Sequence, residues 1–239
     1  HEILPEFREY ERAATTLINA YVAPRMARHI CQLRDRLDKD RLRIMQSNGG
    51  TITPATAVAE PVRTVLSGPA GGVVAALEIG RTAGFPRLIT LDMGGTSTDV
   101  ALLDGQLPFT TDSRAGGYPL GLPLIDIHTV GAGGGSLAVL DPGGALTVGP
   151  ESAGADPGPV CYGRGRNITV TDANLLLGRL VSSRFLGGTM TLNTNRAAVH
   201  LAGFAKTAGL SATALAEGIL AVANAAMERA IRVISVEKG

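Results

Sequence analysis

The chain contains 239 residues, of which 45% are apolar and only 4% aromatic, and its formal net charge is +1. The apolar fraction is sufficient for a buried core, and the length fits one large domain or two small ones. A charge this close to zero excludes the basic surface of a nucleic-acid-binding protein, and no apolar run reaches the 18 residues that predict a membrane span. We therefore expect partners other than nucleic acid or a membrane. No signal peptide accompanies Cys31 and Cys161, which predicts free thiols and a cytoplasmic location.

The N-terminal third alternates between helical and extended patterns. Residues 9–40 have the composition and spacing of a helix, and Pro24 must either begin a second helix or kink a single one. Residues 41–46 predict a strand that ends at a glycine turn. A short helix is predicted to begin after its N-cap Thr53, and a longer Ala/Gly-rich helix covers about 71–83.

The rest of the chain divides into a strand-rich part and a helical part. Strands alternate with Gly and Pro turns from 88 to 140, which predicts an antiparallel meander. An ordered Gly/Pro-rich loop is expected next, at about 149–165. It is followed by three predicted helices, at about 171–179, 194–208 and 212–235. The predicted fold class is therefore α/β. Its expected parts are an N-terminal helical segment and strand (1–50), a strand-rich core (51–148) and a loop with a helical subdomain (149–239).

The most informative segment extends from Leu91 to Gly105. An apolar run ends in Asp92, a second apolar run begins after Asp99, and between them lie two glycines and three hydroxyl residues, Gly94, Gly95, Thr96, Ser97 and Thr98. This pattern predicts a strand, a tight turn and a second strand. Because glycine has no Cβ, its backbone can approach a ligand closely, and successive N–H groups in such a turn bind anions. The hydroxyls add donors, so the segment predicts a phosphate-binding hairpin.

The two acids that flank the turn indicate a metal. Asp92 and Asp99 repel a phosphate unless a hard cation lies between them, and Mg²⁺ prefers one or two carboxylates together with phosphate oxygens. We therefore interpret both acids as catalytic, magnesium-binding residues of a magnesium-nucleotide site. The competing interpretation is an ordinary hairpin, because Gly-Gly turns commonly connect strands.

Two other phosphate-binding loops are excluded by the sequence. A P-loop needs a lysine after its glycines, and none of Lys39, Lys206 and Lys238 follows a glycine run. A dinucleotide fingerprint needs G-x-G-x-x-G opening a helix, whereas the glycine run at 131–136 ends in serine.

A second group of candidate residues lies between 126 and 136. Asp126 and His128 are two residues apart, so in one continuous strand they share a face. Three interpretations remain open: a structural Asp–His hydrogen bond, a catalytic or phosphate-facing role for His128, and a pair of metal ligands. The run that follows consists of Gly133, Gly134, Gly135 and Ser136. It is either a loop that approaches the nucleotide or a substrate from the far side of a cleft, or a wide turn.

Two residues nearer the C-terminus have structural interpretations. The sequence identifies no base or electropositive partner for Cys161, which favours a packed thiol over a nucleophile. Asp172 stands at the start of a predicted helix, where helix capping is expected.

The acid-Gly-Gly-Thr hairpin resembles the second phosphate motif of the actin, Hsp70 and sugar-kinase ATPases. More specifically, the chain resembles the hydantoinase A/5-oxoprolinase family, which includes subunits of acetone-type carboxylases. Matching segments occur in family order along nearly the whole chain: LPEFREYERA (4–13), IMQSNGG (44–50), PVRTVLSGPAGGV (61–73), LDMGGTSTDVAL (91–102), IDIHTVGAGGGS (125–136), VGPESAGADPGPVCYGRG (148–165) and VTDANLLLGRL (170–180).

This resemblance implies a ribonuclease-H-like, actin-like ATPase layer with flanking helices, and ATP and Mg²⁺ as cofactors. It implies the ATP-binding part of a cyclic-amide hydrolase that phosphorylates the amide carbonyl before water opens the ring. A second, hydantoinase B-like subunit or domain is then expected to carry much of the hydrolytic site. The alternatives are a subunit of an ATP-dependent ketone carboxylase, and a nucleotide-driven conformational module without small-molecule chemistry.

The resemblance also implies further nucleotide-binding elements outside these 239 residues, namely another phosphate turn and an adenosine-binding turn. We therefore expect the sequence to be an internal part of a longer ATPase subunit. On its own it is expected to bind ATP weakly and not to turn it over.

Overall fold

The computed structural model describes residues 2–37 and 41–237. The chain forms two compact units, one comprising His1–Thr90 and Ala101–Ile127, the other Leu91–Val100 and His128–Gly239. The boundaries expected near 50 and 148 fall inside these units. The grouping departs from chain order because residues 91–100 contact the second unit more than the first.

The structure is a mixture of helices and short strands, as the α/β prediction requires. In chain order the elements are α1 (Glu9–Arg36), β1 (Ile44–Met45), β2 (Thr51–Ile52), α2 (Pro54–Ala59), α3 (Ser67–Thr82), β3 (Arg87–Met93), β4 (Thr98–Asp104), β5 (Phe109–Thr110), β6 (Ser113–Ala115), β7 (Tyr118–Leu120), β8 (Leu124–Ile125), β9 (His128–Val130), β10 (Ser136–Leu140), β11 (Leu146–Ser152), α4 (Val170–Leu176), α5 (Thr194–Thr207) and α6 (Ala212–Arg232).

Local sequence signals set the helix boundaries. Thr53 caps α2 as predicted, because its hydroxyl accepts the N–H of Thr56 at 3.2 Å. Helix α1 is one continuous helix that contains Pro24, and the end predicted for it at 38–40 lies outside the described residues. At α4 the N-cap is Thr169, while Asp172 is the third helical residue of a capping box.

The predicted meander consists of several small antiparallel sheets instead of one continuous sheet. Strands β3, β4 and β9 form a three-stranded sheet, and the remaining strands pair two by two. Asp126 and His128 do not lie in one continuous strand: β8, which pairs with β5, ends before Asp126, and β9, which pairs with β4, begins at His128. Proline cannot donate a ladder hydrogen bond, and Pro108, Pro119 and Pro123 fall among these short strands.

Each unit has its own apolar core. In the first unit one face of α3, which includes Val73, packs against Leu103 of β4 and Ile125 of β8. In the second unit α6 packs on β11 and α4 on β10, and α5 packs against both helices. On the inner face of α6, Leu215 and Ile219 are fully inaccessible to solvent, and Ala230 is also buried.

No single helix of residues 2–37 and 41–237 is long and apolar enough to cross a membrane. Helix α5 and the segment Ala212–Glu237 meet the length and composition criteria only as a pair, bent by 87°.

Candidate functional site

The acid-Gly-Gly-Thr segment forms the hairpin that the sequence predicts. Strand β3 ends at Met93, β4 begins at Thr98, and the four residues between them form a turn closed by a hydrogen bond from Gly94 N–H to Ser97 O at 2.9 Å. The residues from Asp92 to Thr96 are exposed. The turn is therefore accessible to a ligand.

The glycine run at 133–135 packs directly against the back of this turn. The N–H of Gly134 donates to Gly94 O at 3.0 Å, and the N–H of Gly135 donates to Gly95 O at 2.6 Å. A Cβ on Gly133 would lie 2.8 Å from Gly94 O, and one on Gly135 would lie 2.9 Å from Gly95 O. Glycine is required at both positions because two stretches of backbone meet here without room for a side chain.

These contacts fix the direction of the turn's own N–H groups. In a planar trans peptide the C=O and the following N–H point in opposite directions. Because the carbonyls of Gly94 and Gly95 point towards the glycine run, the N–H groups of Gly95 and Thr96 point away from it. Within the described residues, neither these two N–H groups nor that of Ser97 has a hydrogen-bond partner. The exposed turn thus carries three successive amide donors available to an anion.

The glycine run itself does not offer donors, contrary to the interpretation that it approaches ATP directly. The N–H of Gly133 donates to Ser136 Oγ at 2.8 Å, and the N–H of Ser136 donates to Gly133 O at 3.1 Å. Together with the bonds from Gly134 and Gly135, this leaves all four amides bonded inside the protein. The hydrogen bonds of Gly134 and Gly135 hold the segment behind the turn, where it supports the hairpin.

Thr98, expected to bind phosphate, faces the interior instead. Its hydroxyl is buried and donates to Ala132 O at 2.5 Å. As the first residue of β4, Thr98 alternates in direction with Asp99, which is the more exposed of the two. The hydroxyls still available beside the turn are those of Thr96 and Ser97.

The two acids flank the turn as the sequence indicates. Asp92 is exposed in β3 and has no hydrogen-bond or ion-pair partner among the described residues. Asp99 accepts a hydrogen bond from Thr129 Oγ1 at 2.5 Å across the β4–β9 pair. In the part of the chain that the structure describes, no three His, Cys, Asp or Glu side chains converge on a common point. Two carboxylates, those of Asp92 and Asp99, are too few to hold a metal with protein ligands alone. They fit a cation that also takes phosphate oxygens as ligands, such as Mg²⁺.

The pairing register separates His128 from the acids. His128 lies opposite Val100, which is fully buried, whereas Thr129 lies opposite Asp99. Because successive strand residues face opposite sides, His128 is on the other sheet face from Asp99. Asp126 precedes β9 and its N–H donates to Pro108 O, so the continuous strand expected to align Asp126 with His128 is absent.

Asp172 has a larger structural role than capping. Its fully buried carboxylate accepts hydrogen bonds from the N–H and hydroxyl of Thr169 and from the N–H groups of Val160 and Cys161. This anchors the loop 153–165 to the start of α4. The sequence shows the capping motif but not the remote partners, because these come from a loop without regular periodicity.

Cys161 is a packed thiol, as the sequence favoured. Burial, and then the neighbouring Asp172 carboxylate, raise the pKa of its thiol well above the ordinary value of 9.0. The thiolate required of a nucleophile is therefore disfavoured at neutral pH.

Comparisons with known proteins show which proteins this chain is similar to. The family model described as hydantoinase/oxoprolinase matches residues 12–239. The chain is 43% identical to caprolactamase subunit alpha of Pseudomonas jessenii, over 100% of this chain and 35% of that protein. It is 37% identical to 5-oxoprolinase 1 of Arabidopsis thaliana, over 99% of this chain and 20% of that protein. A nucleotide-free acetone carboxylase structure superposes with a TM-score of 0.89 at 31% identity, covering 100% of this chain and 34% of that chain.

The chain thus spans between a fifth and about a third of the length of these relatives, and its mixed α/β structure matches a solved member at both sequence and fold level. On the family match and these identities, the chain belongs to the hydantoinase/oxoprolinase family.

Proposed function

We propose that this chain is the phosphate-binding part of an ATP-dependent enzyme that activates the carbonyl of a cyclic amide by phosphorylation before the ring is opened. The observation that carries the proposal is the exposed turn at 94–97, in which the amides of Gly95, Thr96 and Ser97 are unbonded within the described residues. Relatives named caprolactamase and 5-oxoprolinase indicate cyclic amides as the substrate class.

The proposed fold assignment is the ribonuclease-H-like layer of the actin-like ATPases. It is supported by the antiparallel order β3–β4–β9, with the glycine turn joining its first two strands. In this assignment the helices of the second unit flank the strand layer.

The residues around the turn have distinct roles in the proposal. The amides of Gly95, Thr96 and Ser97, with the hydroxyls of Thr96 and Ser97, bind phosphate oxygens. Hydrogen bonds to charged acceptors are each worth about 1.5–3 kcal/mol, so three amides give substantial affinity and orientation. Phosphoryl transfer depends mainly on such positioning and on charge stabilisation.

Asp92 and Asp99 are proposed to hold magnesium on the phosphates. When bound, Mg²⁺ supplies positive charge that neutralises the phosphate oxygens. The bond from Thr129 Oγ1 occupies Oδ1 of Asp99 and orients that carboxylate, leaving its other oxygen for the cation. His128, on the opposite sheet face, is not part of this proposed site.

A second candidate is the corresponding subunit of an ATP-dependent ketone carboxylase. The close superposition on acetone carboxylase favours it, since a shared phosphate site serves either reaction. In both cases we propose a second subunit or domain of the hydantoinase B type, consistent with the name caprolactamase subunit alpha.

The test uses the full-length protein together with its partner subunit. ATP hydrolysis is measured with five- and seven-membered lactams, with hydantoins, and with ketones plus bicarbonate. Lactam-dependent ADP release with stoichiometric ring opening supports the proposal. Bicarbonate-dependent carboxylation supports the second candidate, and ATP hydrolysis stimulated only by a protein partner contradicts both in favour of a conformational module.

A further inference from the structure

A chain of hydrogen-bonded peptide groups leads from Thr171 to the phosphate-binding turn. Both the N–H and the hydroxyl of Thr171 donate to Gly134 O, each at 2.8 Å. The N–H of the same peptide group, that of Gly135, donates to Gly95 O at 2.6 Å. The carbonyl of Gly95 belongs to the same peptide group as the N–H of Thr96, which points to the open side of the turn.

A second chain runs beside the first and does not involve Thr171. It begins with the N–H of Ser136, which donates to Gly133 O at 3.1 Å. The N–H of that peptide group, from Gly134, donates to Gly94 O at 3.0 Å. The next N–H is that of Gly95, so each of these two outward amides has its own supporting chain.

We propose that Thr171 is a positioning residue for the Thr96 amide. Its side-chain hydroxyl, on the side of the turn away from the ligand, increases the hydrogen-bond donor strength of the Thr96 N–H and fixes its orientation. The inference rests on the proposed function of the turn. Hydrogen-bonded peptide groups polarise one another, so a carbonyl with two donors makes the N–H of its own peptide a stronger donor. A planar peptide also transmits orientation, because its C=O and N–H are fixed in opposite directions.

The surroundings of Thr171 leave it little freedom to act otherwise. The residue is 9% exposed, and a Cβ on Gly134 would lie 2.9 Å from the Thr171 hydroxyl oxygen. The hydroxyl is therefore directed at the glycine run and is not free to contact a ligand itself. A threonine that served only α4 would not need a second hydrogen bond to a carbonyl 37 residues away.

The test compares Thr171→Val, which removes the hydroxyl at nearly constant shape, with Thr171→Ser, which retains it. The matched control is Thr207→Val, because the Thr207 hydroxyl also donates to a backbone carbonyl, that of Phe204, but lies outside both chains. In the full-length protein with its partner, we expect kcat/KM for ATP to fall about three- to tenfold in Thr171→Val. Thr171→Ser and Thr207→Val should stay within about twofold of the unmodified protein.

The diagnostic measurement is the amide spectrum of the nucleotide-free, full-length protein labelled with ¹⁵N-threonine and ¹⁵N-glycine. In Thr171→Val the Thr96 amide should move towards the position of a weaker donor, while the Gly95 amide, supported by the second chain, should move much less. An unchanged Thr96 amide, or equal shifts of Thr96 and Gly95, would overturn the inference.

This measurement separates the inference from the function on which it rests. If Mg-ATP leaves the Thr96 amide of the unmodified protein unshifted, the proposed phosphate site is wrong. The effect of Thr171→Val on the nucleotide-free spectrum is read independently of that result.

Discussion

The carboxylate of Asp172 accepts a hydrogen bond from the N–H of Cys161 at 2.8 Å, with both residues almost completely buried. The same carboxylate caps α4 through Thr169, so one side chain joins the helix start to the loop before it. Since Thr171 lies in the first turn of this helix, the contact also helps to fix the glycine run behind the phosphate-binding turn.

We expect Asp172→Asn to destabilise the second unit by about 2–4 kcal/mol, because an amide nitrogen would face N–H donors that now meet a charged acceptor. Hydrogen exchange over residues 153–165 and the midpoint of thermal unfolding measure this. Asp141→Asn is the matched control, since Asp141 is exposed and the Oδ1 that accepts from Gly143 and Ala145 is retained in asparagine. Equal effects of the two substitutions would contradict the buried-anchor role.

The raised pKa of Cys161 predicts how stability depends on alkaline pH. Burial first, and then Asp172, favour the neutral thiol in the folded protein. The unfolded state therefore loses this proton at lower pH than the folded state, and stability declines as pH rises above about 9, by up to about 1.4 kcal/mol per pH unit. Urea denaturation from pH 8 to 10.5 checks this, and Cys161→Ala should flatten the first part of the decline.

Tyr162 contributes to the same alkaline decline at somewhat higher pH. Burial, followed by Cys161 and Asp172, raises the pKa of its phenol above 10.0. The decline that remains in Cys161→Ala should therefore disappear in the double variant Cys161→Ala/Tyr162→Phe. A pH profile in the double variant equal to that of the unmodified protein would show that other groups cause it.

Two glycines of the site are predicted to respond oppositely to alanine. A Cβ on Gly133 meets the backbone of Gly94 and Gly95 at 2.8 Å, so Gly133→Ala should cost about 1–3 kcal/mol of stability. A Cβ on Gly95 has no atom of the described residues within 4 Å, so Gly95→Ala should fold normally. It should nevertheless raise KM for ATP at least about tenfold, because the methyl group would occupy the space assigned to phosphate. Normal ATP kinetics in Gly95→Ala would mean that this space is not used.

The sequence predicts the hairpin well because its signals are local: apolar runs, a glycine turn and flanking acids lie within 15 residues. The helices α4 to α6 are predictable for the same reason, from periodicity and capping residues. The roles of Thr98, Thr171 and the glycine run were not predictable, since each depends on a carbonyl or amide contributed by another part of the second unit. The face on which His128 lies was not predictable either, because it depends on the register of β9 against β4, which places His128 opposite Val100.

The last prediction concerns the two acids beside the turn. In the full-length protein with its partner, Asp92→Asn or Asp99→Asn should reduce ATP-dependent turnover at least about tenfold, equivalent to about 1.4 kcal/mol of barrier. The reason is that a neutral amide holds a hard cation more weakly than a carboxylate does. Raising the magnesium concentration should recover part of the activity. Thermal unfolding should change little, because both side chains are solvent-accessible and the amide oxygen that Asp99→Asn retains can still accept the bond from Thr129.

The variant Thr129→Val separates the orientation of the Asp99 carboxylate from its charge, since it leaves Asp99 negatively charged but removes its hydrogen-bond donor. We expect it to lower turnover by no more than about threefold. Turnover that is unaffected in both asparagine variants, at limiting as well as saturating magnesium, would show that these acids do not bind the cation.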